Sequence, residues 1–237
     1  MKKKLIMTFI IGAMLVAGCS NNGATTKTNE QISNNNQATV QNTTVDTSVT
    51  SADEALKMLE DGNERFLNDK SELRNVNSER RDELKEGQSP YAVIVSCSDS
   101  RVTPTTVFNA GLGEIFDIRI AGNVVDDDAL GSIEYGAEHL HSPLIVVMGH
   151  QSCGAVTATY NKVVKGEQVE GHIEDLVEKI EPSVNPSKTI DDAIHNNVAA
   201  VVKEISEDEI IKNLIDQGKV KVIGAYYDLN GKVTFNK

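Results

Sequence analysis

Tyr91-Ala92-Val93-Ile94-Val95-Ser96-Cys97-Ser98-Asp99-Ser100-Arg101 is the stretch that decides the fold. Six nearly continuous apolar residues, too few for a buried helix and rich in β-branched types, predict a strand covered on both faces. Such strands belong to parallel sheets. Cys97 stands where the strand ends, and a carboxylate and a guanidinium follow within four residues. A second run of the same kind, Pro143-Leu144-Ile145-Val146-Val147-Met148-Gly149, ends at His150, and Cys153 follows three residues later. In open α/β sheets, chemistry gathers just past the C-terminal strand ends. Cys97, His150 and Cys153 can therefore meet although about fifty residues separate them.

Outward from these two strands, the pattern alternates. Ile115 to Ala121 and Val220 to Tyr227 predict two more strands, and Leu229-Asn230-Gly231 turns the chain into Val233-Thr234-Phe235 as a hairpin. Thr103-Pro104 opens a short helix with Pro at its first position. Asp126, Asp127 and Asp128 cap a helix running through Ala137 to His141. Cys153 begins another, and Thr189–Ser206 and Glu207–Gln217 predict two more. Before the first strand, Ser51 and Glu54 have capping-box spacing, and a second helix covers Ser78 to Glu86. These two helices are expected to form an N-terminal arm rather than core. The fold class is α/β, a mainly parallel central sheet flanked by helices, with that arm and a C-terminal hairpin.

The first fifty residues are of another kind. Lys2, Lys3 and Lys4 precede an apolar run from Leu5 to Val16, too short to span a bilayer and laid out as a signal peptide. The run ends in Val16-Ala17-Gly18-Cys19, which resembles a bacterial lipobox. That resemblance implies cleavage of 1–18, a lipid on Cys19 and an extracytoplasmic location anchored to a bacterial membrane. Residues 20–50 are about two-thirds Ser, Thr, Asn and Gln, so 19–50 is expected to be a lipidated disordered tether. The folded, catalytic part is then 51–237. The net charge of −12 becomes −12 − 3 = −15 once three lysines leave with the leader, which argues against a nucleic-acid partner.

Two thiols in an exported chain also admit a disulfide. A Cys/His/Cys set with a nearby carboxylate instead suits a tetrahedral zinc with one open position. Cys97-Ser98-Asp99-Ser100-Arg101-Val102 with His150-x-x-Cys153-Gly154-Ala155 resembles the β-class carbonic anhydrases. Gly111-x-Gly113-Glu114-x-Phe116-x-Ile118-Arg119-x-Ala121-Gly122-Asn123 and Gly131-Ser132-Ile133-Glu134-Tyr135 extend the likeness. It implies one Zn²⁺ per chain on Cys97, His150 and Cys153, and reversible hydration of CO₂ to bicarbonate and a proton by zinc-bound hydroxide. It also implies Asp99 and Arg101 as the catalytic dyad, with Asp99 able to become a fourth ligand in a closed state. Gln88, Phe116, Tyr135 and Gly154 match substrate-contact positions, Tyr135 reaching across a dimer interface. His139 matches a proton-shuttle position. The unit implied is a homodimer, which in some members pairs into a tetramer.

Overall fold

In a computed structural model, which describes residues 49–72 and 75–236, a five-stranded sheet runs β2-β1-β3-β4-β5. The strands are β1 (Ala92–Ser96), β2 (Ile115–Arg119), β3 (Leu144–His150), β4 (Lys221–Tyr227) and β5 (Val233–Asn236). The first four are parallel, and β5 returns antiparallel to β4. The expected α/β class and closing hairpin are both present. Every residue of β1 and β3 is buried, as their unbroken apolar sequence requires.

The chain steps from β1 to β2 on one side, then crosses back to β3 on the other. The strand order therefore reverses between β1 and β3, where an open α/β sheet forms its crevice. Ser96 pairs with Met148, so Cys97 stands level with Gly149, one residue short of His150 on the neighbouring strand. Adjacent strands lie roughly 4.8 Å apart. Sheet register alone thus delivers two of the three candidate ligands to one place.

Helices cover both faces. On one, α4 (Asp127–Glu134), α7 (Ile190–Glu207) and α8 (Glu209–Asp216) pack Ile133, Val201, Ile205 and Ile211 onto Val93, Val95, Ile145 and Val147. On the other, α1 (Ala52–Leu67) and α3 (Pro104–Val107) pack Ala55, Leu59 and Val107 onto Ile94, Leu144, Val146 and Met148. Caps follow the sequence. Ser51 accepts from the Glu54 N–H at 3.2 Å, Asp126 from Ala129 at 2.9 Å, and Thr189 forms a full capping box with Asp192.

The expected N-terminal arm needs correction. α1 is part of this chain's own core, because Ala55 and Leu59 are fully buried. Gly62 lets α1 approach α3 so closely that an added Cβ would lie 1.9 Å from the Phe108 carbonyl oxygen. The buried Asn63 amide donates to the Val107 and Gly231 carbonyls and accepts from the Val233 N–H, tying α1 to the hairpin. Only α2 (Ser78–Glu83), with no buried residue, remains peripheral. α4 also differs from expectation. It is α-helical to Glu134, and Tyr135–His139 then winds as a wider π turn, closed by the Leu140 N–H on the Tyr135 carbonyl at 3.1 Å. Beyond α5 (Gly154–Lys165), a helix not expected from sequence, α6 (Ile173–Ile180), buries Val177 and Ile180. Cys19, the signal segment and nearly all of the proposed tether lie outside the described residues.

Candidate active site

Cys97 follows the last residue of β1, His150 ends β3, and Cys153 is the N-cap of α5. All three are buried, none more than 4% exposed, and their ligand atoms lie within 4.8 Å of one another. Ser152 makes the tight return possible. Its φ of +56° is left-handed, a strained state for a residue with a side chain, and it folds Cys153 back toward His150.

Both cysteines are free, so the disulfide alternative does not hold here. The two sulfurs compete for one proton. A hydrogen bond from the Cys153 thiol holds Cys97 well below its ordinary value, aided by His150 and the Gly122 N–H against the opposing effect of burial. The same bond to Cys97, then burial, pushes Cys153 well up. Ionising the second sulfur as well, at this spacing, would need a compensating cation. His150 points the same way. Its Nδ1–H donates to the Gln151 carbonyl at 2.9 Å, which leaves Nε2 as the acceptor, and that buried nitrogen has no hydrogen-bond partner. The donor set of two sulfurs and one imidazole suits a borderline-soft divalent cation.

Asp99 and Arg101 form a fork. Arg101 Nε donates to Asp99 Oδ1 at 2.9 Å, Nη2 to Oδ2 at 2.7 Å, and the Arg101 backbone N–H also reaches Oδ1. The guanidinium holds the Asp99 carboxyl well below the usual carboxylate range. Oδ2 lies 4.0 Å from His150 Nε2. Asp99 is therefore beside the three-residue group and held by Arg101.

The remaining expected residues are elsewhere. Phe116 pairs with Val93, near the start of β1 and four residues before Cys97. At roughly 3.3 Å per residue this is about 13 Å along the strand. Tyr135, 48% exposed, packs its ring 6.3 Å from that of Phe116, and the exposed His139 ring lies 5.5 Å from Tyr135. Gln88 precedes β1 and lines a surface depression of about 360 Å³ with Leu84, Gly87 and Leu112. These four sit toward the N-terminal edge of the sheet, so a single chain does not bring them to Cys97, His150 and Cys153. Gly154 does adjoin the group, and a Cβ there would meet nothing within 4 Å. A cavity of about 430 Å³ between Glu138, His141, Gln217 and Lys219 contains none of the expected site residues.

Sequence reasoning gave no role to Arg119. It donates from Nε to the Cys97 carbonyl at 3.3 Å and from Nη2 to the Asp99 carbonyl at 2.8 Å, fixing the loop that carries ligand and acid.

Residues 92–233 match the family model described as carbonic anhydrase. The chain belongs to the carbonic anhydrase family. It is 38% identical over 185 residues to carbonic anhydrase 2 of Mycobacterium tuberculosis, covering 74% of this chain and 88% of that one. Over 130 residues it is 46% identical to the carbonic anhydrase of Mycolicibacterium smegmatis, covering 55% and 63% of the two chains. Among solved structures, the Coccomyxa β-carbonic anhydrase in complex with acetazolamide superposes with a TM-score of 0.59 at 26% identity, over 65% of this chain and 75% of that one. One of two tetrameric β-carbonic anhydrases from Sordaria macrospora shares the fold at 23% identity, with a TM-score of 0.59 and coverage of 65% and 84%. Family, fold and site geometry together put the chain in the β class.

Proposed function

We propose that the chain is a zinc-dependent enzyme that interconverts CO₂ and bicarbonate. The observation carrying this reading is a buried Cys97–His150–Cys153 group with a carboxylate, clamped by Arg101, 4.0 Å from His150 Nε2. Cys97 Sγ, Cys153 Sγ and His150 Nε2 would hold the zinc. When bound, zinc supplies the Lewis acidity that makes water nucleophilic at neutral pH.

The chain's own residues do the rest. The Gln151 carbonyl fixes the His150 tautomer, and the first amides of α5 face the Cys153 sulfur. Ionised Asp99 accepts the O–H of the attacking nucleophile and so aims its lone pair at the carbon of CO₂. Arg101 keeps both Asp99 oxygens engaged, which holds the carboxylate out of the ligand set. Releasing Arg101 would give the closed state in which Asp99 takes the fourth position. Gly154 leaves room beside Cys153.

Gln88, Phe116 and Tyr135 support a homodimer. They lie at the far edge of the sheet from their own metal group, and the exposed Tyr135 is free to line a neighbour's site. A tetramer built from such dimers is compatible. His139 beside Tyr135 would then pass the product proton to solvent. The lipobox at Cys19 extends the proposal to export and lipid anchoring outside the cytoplasm.

The test is stopped-flow CO₂ hydration with a pH indicator, using protein that carries one zinc per chain. Turnover that chelator removes and zinc restores is expected; a zinc-loaded protein inactive at about pH 8.5, where a two-thiolate site should be active, overturns the reading. Sedimentation reports the dimer, and loss of detergent-phase partition in Cys19→Ala reports the anchor.

A further inference from the structure

Behind Cys97 lies a two-step hydrogen-bond relay that ends on a residue of α7. The Gly122 N–H donates to Cys97 Sγ at 3.3 Å. The Gly122 carbonyl in turn accepts from Asn197 Nδ2 at 2.8 Å. Asn197 is 2% exposed, and this contact spans 75 residues of sequence.

A glycine N–H is a poorly fixed donor, because glycine moves between φ regions at little cost. Gly122 stands at φ +71°, a conformation glycine alone adopts freely. Its Cα is packed so tightly that a Cβ would lie 2.6 Å from Ile180 Cδ1 and 3.1 Å from Ala155 Cβ. Packing holds the Cα in place and leaves the direction of the N–H to the flanking peptides. Asn197 fixes the peptide that follows Gly122, and with the Cα packed this limits the φ and ψ through which the preceding peptide, which carries the N–H, can turn away from the sulfur. An N–H directed at a thiolate draws off part of its charge, a charge-assisted bond stronger than a neutral one.

We propose that Asn197 is a positioning residue for the metal centre: through Gly122 it sets how much charge the Cys97 sulfur donates to a bound divalent cation. The inference rests on the zinc reading above. It distinguishes the two cysteines, because Cys97 receives a remote, built donor whereas Cys153 is served by its own helix start.

The test compares wild type, Asn197→Leu and Val201→Ala, the last one turn along α7 in a different part of the core. Cobalt is substituted for zinc and the thiolate-to-cobalt charge-transfer band is recorded. Losing the donor leaves a more electron-rich sulfur, so Asn197→Leu should move the band to lower energy. Zinc affinity, by competition with a chromophoric chelator, is read beside it and should differ from wild type by about tenfold or more. Val201→Ala should lower the melting temperature and leave band and affinity in place. An unmoved band in folded Asn197→Leu overturns the inference, as does an equal shift in Val201→Ala. A variant that does not fold leaves a wild-type measurement: in protein loaded with NMR-active cadmium, the Gly122 amide proton should show scalar coupling to the metal across the sulfur. Absence of that coupling also overturns the proposal. Failure of wild type to bind any of these ions would instead defeat the zinc reading itself.

Discussion

The C-terminal edge of the sheet holds Cys97, His150 and Cys153 buried together, each fixed by a backbone partner or a helix start. The N-terminal edge carries Gln88, Phe116, Tyr135 and His139, none of which joins that group. The first edge is complete within one chain because strand register builds it: Ser96 opposite Met148 puts Cys97 beside His150. The second edge offers the exposed Tyr135 and a shallow depression, which the proposed dimer would complete with a second chain. On that proposal, metal capture and substrate enclosure are encoded separately, and they should fail separately.

The largest effect is expected at the complete edge. Cys153→Ser removes one of the two sulfurs, and zinc content should drop to roughly a tenth of wild type or less, with CO₂ hydration lost in proportion. Metal analysis after dialysis checks this, and full zinc occupancy in the variant would break the assignment of that edge. Next is Arg101→Ala, expected to keep zinc while losing about ten- to a hundredfold in activity as Asp99 is released.

Arg101→Ala also has a pH signature. The Asp99 carboxyl is held below its ordinary value of about 3.9 by Arg101. A lowered folded value stabilises the fold fully above the ordinary value, and that contribution disappears as pH falls through the folded value. Wild type should therefore lose stability below about pH 4 more steeply than Arg101→Ala, in urea titrations of the metal-free protein. Equal slopes would mean that the fork does not hold the carboxyl in solution.

The incomplete edge is probed by Tyr135→Ala. Zinc content should stay at one per chain while dimer dissociation rises about tenfold or more, as for a central interface aromatic. Sedimentation at several concentrations and metal analysis read the two quantities. A fall in zinc with no change in assembly would reverse the division of labour between the edges.

How much of this is legible in the sequence follows the same division. β1 and β3 are unbroken apolar runs, so their burial and the ligands at their ends could be read directly. Caps at Ser51, Asp126 and Thr189 carry their own signal. α1 was misplaced as an arm because an amphipathic stripe states that a helix packs but not on which chain. The Gly62-Asn63 pair was the available clue, a small residue beside a buried amide. Asn197 was invisible as one polar residue in His195-Asn196-Asn197, yet it falls on the stripe of Ile194, Val198 and Val201. A polar residue on an apolar stripe signals a buried partner. Arg119 gave no comparable sign, because its partners are backbone carbonyls. α6 did carry a signal, since Ile173, Leu176, Val177 and Ile180 stand at i, i+3, i+4 and i+7, but it spans only eight residues after a polar, glycine-containing stretch.

Leu59→Ala separates fold stability from the metal edge. Leu59 is fully buried on the α1 face of the sheet, and truncation should cost about 2–5 kcal/mol. The cost should appear in denaturant unfolding, with zinc affinity of the folded protein unchanged. A parallel loss of affinity would mean that the two faces of the sheet are coupled through β1.

The smallest effect tests whether the complete edge stores strain. Ser152 holds φ at +56° in the turn that returns Cys153 to His150. A side chain in that region costs about 1–2 kcal/mol. Glycine removes this cost, yet it loses about 0.5–1 kcal/mol more chain entropy on folding. Ser152→Gly should therefore stabilise the metal-free protein by between zero and about 1.5 kcal/mol. Zinc affinity should not rise by the same amount, because the turn has the same shape with or without the Cβ. A gain in stability at constant affinity places the strain in the scaffold. A variant that is destabilised means that the turn is held by the serine itself, and that the edge built by strand register depends on this side chain as well.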